Sequence, residues 1–204
     1  PERYWEKAVL SPSAFIMYLG LDRKVAVLSH HNLRFGGDWK QNFKELFDTP
    51  QLPEDPSYYI CKPTETDPDL APEGTDSLYV LVPIPPGLTL SEEEMKRYRQ
   101  KILTLVKTDL KLPEIEDYIV YERSYWSDDF RRDYNAYKGT ALGLAHTLKQ
   151  TLKRPLNYSK KVKNLYYVGA GTSPGIGMPI CLISAELVYK RIQKIKTSKP
   201  LASL

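Results

Sequence analysis

Between Tyr134 and Ala185 the chain has no aspartate or glutamate, while Lys138, Lys149, Lys153, Arg154, Lys160, Lys161 and Lys163 all fall inside that window. A field of one sign attracts phosphate groups or an anionic lipid surface. Two readings stay open, a docking face or a solvated basic face with no partner. No recognised binding motif accompanies the charge, so nucleic acid is not an expected partner. Cysteine is almost absent: Cys61 and Cys181 form no CxxC, which excludes a disulfide framework and points to a reducing, cytoplasmic compartment. The three histidines show no HxxxH spacing. The adjacent His30 and His31 would point to opposite faces of a strand, so no metal site is expected. No apolar run approaches the ~20 residues that span a bilayer, and nothing at the N-terminus reads as a signal peptide. The chain opens abruptly at Pro1 in a charged stretch, and it is expected to be part of a longer protein.

What is present is an ordinary globular balance, 42% hydrophobic and 26% charged, which allows a real core. Tyrosine is the abundant aromatic, with 15 residues. Its apolar ring and polar tip suit strand packing, the wall of an apolar cleft or a membrane rim. Ser13–Leu21 is apolar on both alternating faces, as in a strand covered on both sides. Val25–Phe35 reads as a second strand, Tyr58–Lys62, Ser77–Pro83 and Asp117–Arg123 as three more. Trp39–Phe47 and Ser127–Tyr134 fit short helices. Ser91 and Glu94 form a capping box that opens a helix running to about Leu110, which Pro113 closes. The class expected is a mixed α/β (α+β) chain, divided into a sheet-and-helix region over 1–135 and a C-terminal segment over 136–204.

That last segment carries the clearest unit. Asn164–Val168 (NLYYV) predicts a short strand, Gly169–Gly177 (GAGTSPGIG) a glycine-rich turn, and Met178–Lys196 a long helix with Pro179 in its first turn. A strand that runs through glycines into a helix brings bare N–H groups and a positive helix end to one point, suited to phosphate or the polar edge of a cofactor. A purely structural turn is the other reading. The dinucleotide fingerprint is not met, because Pro174 occupies the third glycine position and no acidic residue follows about 20 positions on. A complete GxGxxG unit is absent from the rest of the chain.

NLYYVGAGTSPGIGMP closely resembles the C-terminal FAD motif of bacterial-type phytoene desaturases, within the wider flavin amine-oxidase superfamily. SAFIMYLGL at 13–21, HHNLRFG at 30–36, LAPEGTDSLYVLVPIP at 70–85 and FRRDYNAYKGTALGL at 130–144 resemble the same family in the same order. The resemblance implies a substrate-binding sheet plus the closing strand, turn and helix of a Rossmann-like FAD domain, whose ADP-binding part would lie outside this chain. It implies that Gly169, Gly171, Thr172, Gly175, Gly177, Met178 and Pro179 lie along FAD, with the N–H groups near Met178 at the carbonyl edge of the flavin. Ser173 stands where family members often have histidine. The implied activity is dehydrogenation of phytoene or a related polyene, and the implied site aligns an apolar substrate by shape.

Candidate lining residues are Phe15, Tyr18, Tyr79 and Tyr137, with His146 near; His30, His31, His146, Asp129 and Asp133 are the groups available for proton transfer, and none is singled out as catalytic. A substrate that lives in bilayers implies peripheral membrane association. Leu142, Leu144, Leu148, Leu152 and Leu156, interleaved with the basic residues, are either a docking face or the buried stripe of a helix. Competing readings are a carotenoid isomerase, a retinoid saturase, an amine oxidase, and a non-catalytic docking module.

Overall fold

The computed structural model describes residues 2–201. In chain order the elements are α1 (Glu2–Glu6), β1 (Ser13–Leu21), β2 (His31–Arg34), α2 (Trp39–Phe47), β3 (Tyr58–Cys61), β4 (Asp76–Ile84), α3 (Glu92–Leu110), β5 (Ile119–Tyr125), α4 (Ser127–Tyr134), α5 (Leu148–Leu152) and α6 (Met178–Ile192). The chain forms two compact units. One is Pro12–Ala141; the other joins the N-terminal segment up to Ser11 with everything from Leu142 onward.

The first unit is built on a five-stranded sheet in the order β2-β3-β4-β1-β5, antiparallel at every pairing. Alternation sorts its side chains. Phe15, Met17, Leu19 and Leu21 of β1 and Leu78, Val80, Val82 and Ile84 of β4 enter the main core, where Met95, Tyr98, Ile102, Leu103 and Val106 of α3 cover them. The capping box at the start of α3 forms as the sequence predicts: the Glu94 N–H donates to Ser91 Oγ (3.2 Å) and the Ser91 N–H to Glu94 Oε2 (2.8 Å). At its other end Lys111 adopts the left-handed conformation (φ 53°). The two ends of this unit meet, since the Ala141 N–H donates to the Pro12 carbonyl at 3.2 Å.

In the second unit, Ser11 donates to the Gly143 carbonyl (2.8 Å) and Ala145 to that of Val9 (2.9 Å). The Gln150 side chain closes the same junction, accepting from Val9 N and donating to Val9 O, both at 2.8 Å. Val188 and Leu144 are buried here, whereas Met178 is 85% exposed and Leu182 73%.

Four local expectations need correction. The strand predicted over Val25–Phe35 shrinks to His31–Arg34, because side chains take the backbone groups a ladder would need: Val25 N donates to Asp76 Oδ2 (2.7 Å) and Val25 O accepts from Lys62 Nζ (3.0 Å). Asn164–Val168 is not a strand. Asn164 has φ 59°, and among the described residues the only ladder contact of this segment is a single Tyr158–Tyr166 bridge. The C-terminal helix stops at Ile192, where Lys194 turns left-handed and Ile195 N returns to the Lys190 carbonyl (2.8 Å). The leucine stripe is not one buried helix: Leu144 is buried, but Leu148 and Leu152 on the short α5 are 79% and 77% exposed.

Truncating the α3 face should cost more than losing its cap. Ile102→Ala is expected to lower the unfolding free energy by ~2–5 kcal/mol through the cavity it leaves, and Ser91→Ala by ~1 kcal/mol. Denaturant unfolding of both variants checks the order.

Candidate functional site

Two surfaces carry the residues singled out above, one in each unit. In the second unit, the glycine turn is held from behind by a buried polar hub. The Gly169 N–H and the Asn157 side-chain amide both donate to Ser184 Oγ, at 3.2 and 3.0 Å, and the same amide donates to the Ser173 carbonyl at 2.6 Å. Ser184 and Asn157 are almost wholly buried. Arg154 forms the other wall. Its guanidinium donates to the Ala170 carbonyl (3.0 Å) and the Leu144 carbonyl (3.2 Å), and its buried Nε has no hydrogen-bond partner among the described residues.

This wall gives the glycines different jobs. Gly175 has φ 145°, and a Cβ there would lie 3.0 Å from Arg154 Nε, so this glycine faces the protein's own packing. Gly169 (φ 106°) and Gly171 would meet nothing within 4 Å, so there the backbone lies open. Gly177 is the N-cap residue of α6, with no side-chain cap on the helix; Met178 and Pro179, exposed, open the first turn. Thr172 is turned inward, its hydroxyl donating to the Pro155 carbonyl at 2.8 Å. Asn157 and Ser184 escaped the sequence reading, and Arg154 entered it only as a member of the basic window. The single polar Ser184 on an apolar helix face was the one signal present.

In the first unit, the sheet face opposite α3 is aromatic. In register across it run His31, Cys61, Tyr79, Tyr18 and Arg123, and beside them Leu33, Tyr59, Leu81, Ile16 and Tyr125. The Tyr18 and Tyr79 rings are 5.5 Å apart, and those of Tyr59 and Tyr79 6.3 Å. Phe130 of α4 stands edge-on to Tyr125 at 5.0 Å and covers that end. Burial pushes the Tyr79 phenol up to about 12. Burial, then the hydrogen bond to Asp133, does the same for Tyr125. The hydrogen bond to Cys61, then burial, does so for Tyr59. All three are neutral phenols at physiological pH.

The structure thus brings Tyr18 and Tyr79 together. Phe15 lies on the other side of β1, edge-on to Tyr98 in the core (5.6 Å), as odd–even alternation requires. Tyr137 sits in the turn after α4, 42% exposed, and His146 is exposed in the second unit. Two of the groups weighed for proton transfer are occupied elsewhere. Asp129 accepts from the Trp126 N–H at the start of α4 (2.9 Å), and the Arg132 guanidinium and the Tyr125 hydroxyl hold the Asp133 carboxyl below its usual range. His30 and His31 do not diverge. His30 precedes β2, and its ring lies against that of His31, tilted by 51° with centroids 4.2 Å apart.

Comparison with known proteins gives a consistent result. The family of flavin containing amine oxidoreductases matches residues 8–192. A carotenoid 3,4-desaturase of Haloarcula japonica is 48% identical over 90% of this chain and 37% of its own length. A zeta-carotene-forming phytoene desaturase of Myxococcus xanthus is 43% identical over 92% and 37%. A 4,4'-diapophytoene desaturase of Staphylococcus aureus is 38% identical over 90% and 38%. A solved oxidoreductase from Methanosarcina mazei covers 89% of the chain and 35% of its own, at 18% identity and a TM-score of 0.43. The chain therefore spans less than two-fifths of the length of the curated relatives it matches. With a match across nearly its whole length, this chain belongs to the flavin-containing amine oxidoreductase family.

Proposed function

We propose that this chain is the C-terminal part of an FAD-dependent carotenoid desaturase acting on phytoene or a related polyene precursor. The observation that carries the reading is the 38–48% identity to three enzymes named as desaturases in carotenoid metabolism. The aromatic centre of the sheet face supports it. A hydrocarbon offers no ionisable handle, so binding has to come from apolar contact, and Tyr18, Tyr79, Leu81 and Ile16 present such contact without a charge.

We assign the sheet unit to the substrate and the unit with the glycine turn to the closing edge of a Rossmann-like cofactor domain. The turn suits FAD on its own evidence: the backbone at Gly169 and Gly171 is open, and α6 begins without a side-chain cap. Gly169, Gly171, Gly177 and the first turn of α6 at Met178 would hold the cofactor, while Arg154, Asn157, Ser184 and Thr172 shape the turn from behind. Desaturation removes a hydride and a proton, two electrons in all, from adjacent carbons, and FAD when bound would accept the electrons. The residues of this chain orient the substrate, exclude water from it and keep the turn rigid.

The exposed apolar side of α6, at Met178 and Leu182, carries no lysine, which suits it to cover by the remainder of the protein. The α5 patch differs. Leu148 and Leu152 stand exposed among Lys149 and Lys153, with Arg3, Tyr4, Lys7 and Val9 lining the adjoining hollow. Apolar side chains ringed by cations suit an anionic membrane surface. Among the described residues no helix is long and apolar enough to cross a membrane, so α5 would serve peripheral attachment.

The decisive experiment is the visible spectrum of the full-length protein with flavin, before and after phytoene in liposomes without oxygen. Bleaching of the flavin band is expected. A bound flavin that stays oxidised favours an isomerase or another substrate, and absence of bound flavin sinks the cofactor assignment. Paired replacement of Tyr18 and Tyr79 by alanine should lower phytoene turnover at low substrate on the order of tenfold, from ~1–1.5 kcal/mol of lost aromatic contact, with flavin content unchanged. Asn157→Ala should do the reverse. It removes the donor to Ser184 Oγ and the Ser173 carbonyl at ~1–3 kcal/mol, so the flavin-to-protein ratio after gel filtration falls.

A further inference from the structure

The corner where β2 meets β3 holds side chains that lie outside the substrate contacts proposed above. His31 lies opposite Cys61 in the strand register, and the His30 ring is folded against His31. One nitrogen from each ring and the Cys61 sulfur lie within 4.8 Å of one another. We propose that His30, His31 and Cys61 bind a borderline-soft cation of the zinc class, which clips the edge strand to its neighbour.

The donor set argues for that class. Two imidazoles and a thiol suit zinc or copper, whereas magnesium and calcium ask for oxygen ligands. Tetrahedral zinc, with Zn–N of about 2.0–2.1 Å and Zn–S of about 2.3 Å, sets its ligand atoms ~3.3–3.8 Å apart. The cluster therefore has to contract by on the order of 1 Å, within reach of ring and thiol rotation at a partly exposed corner.

Orienting groups are in place. The Tyr59 hydroxyl is 2.7 Å from His31 Nδ1, and the Thr66 hydroxyl is 2.7 Å from His30 Nδ1. With the proton on Nδ1, each hydroxyl oxygen accepts it and Nε2 keeps its lone pair for the ion, the arrangement usual behind metal-bound histidines. Binding releases the Cys61 thiol proton, because the thiolate is the ligand. Exposure of His31 supplies an entry path and leaves a fourth position for water. Mechanically the ion would tie three segments together: the connector ending at His30, β2, and β3. Among the described residues β2, an edge strand of four residues, has β3 as its sole ladder partner.

The test uses the full-length protein, freed of metal by a chelator and titrated with Co²⁺ as a spectroscopic substitute for Zn²⁺. One equivalent should raise a near-ultraviolet thiolate-to-cobalt band together with the visible bands of four-coordinate cobalt, and Zn²⁺ should abolish both. Cys61→Ser should remove the ultraviolet band and Cys181→Ser should leave it intact. Tyr59→Phe should weaken cobalt binding about tenfold through loss of the orienting hydroxyl. His31→Gln guards against misfolding of the serine variant: it should keep the thiolate band at saturating cobalt but bind at least tenfold more weakly. Zn²⁺ should raise the thermal midpoint by several degrees in the parent and leave that of Cys61→Ser unmoved. The proposal falls if the parent shows no thiolate band, if the band survives Cys61→Ser, if it vanishes in Cys181→Ser, or if His31→Gln binds cobalt as tightly as the parent.

Discussion

The pairing of β1 with β4 sets the rest of the sheet unit. Nine residue pairs run in unbroken antiparallel register from Ser13–Ile84 to Leu21–Asp76. Because side chains alternate, this one register decides that Met17 and Val80 meet α3 while Tyr18 and Tyr79 meet each other on the far side. A slip by one residue would exchange the two populations, placing aromatic hydroxyls under α3 and methionine in the open. The register also delivers Asp76 to the point where its carboxylate accepts from the Thr64 hydroxyl (2.6 Å) and the Val25 N–H (2.7 Å), anchoring two connectors at the end of the sheet.

The glycine turn obeys a second constraint, the need to keep backbone accessible without losing its shape. A loop rich in glycine has high conformational entropy when free, so something has to hold it. Here the task falls to the buried Asn157–Ser184 hub and to Arg154, all on the inner side. The outer side is thereby left to Gly169 and Gly171. Gly175, which looks equivalent in the sequence, belongs to the inner side because Arg154 lies against it.

Features encoded within a few residues were legible in advance. Trp39–Phe47 and Ser127–Tyr134 form as helices over the ranges read, and Ser91 and Glu94 cap α3, because caps and helical spacing are local. Strands need partners, and that is where the reading failed. NLYYV has the composition of a strand, yet Asn164 turns left-handed and only Tyr166 bridges to Tyr158. His30 and His31 were expected to diverge because both were placed on one strand, whereas β2 starts only at His31. The separation of Phe15 from Tyr18 could have been read from alternation alone. Asn157 with Ser184, 27 residues apart, could not, since neither carries a local signal of its partner.

The Ala141–Pro12 hydrogen bond says something about how such a chain can change over evolutionary time. The sheet unit leaves its first residue and returns at its last within one hydrogen bond, so topologically it is a loop inserted between two neighbouring points of the chain. Inserted modules with adjoining ends can be lengthened, trimmed or exchanged without asking the host segment to move its own anchor points. The aromatic face can accordingly be remodelled while the glycine turn stays as it is.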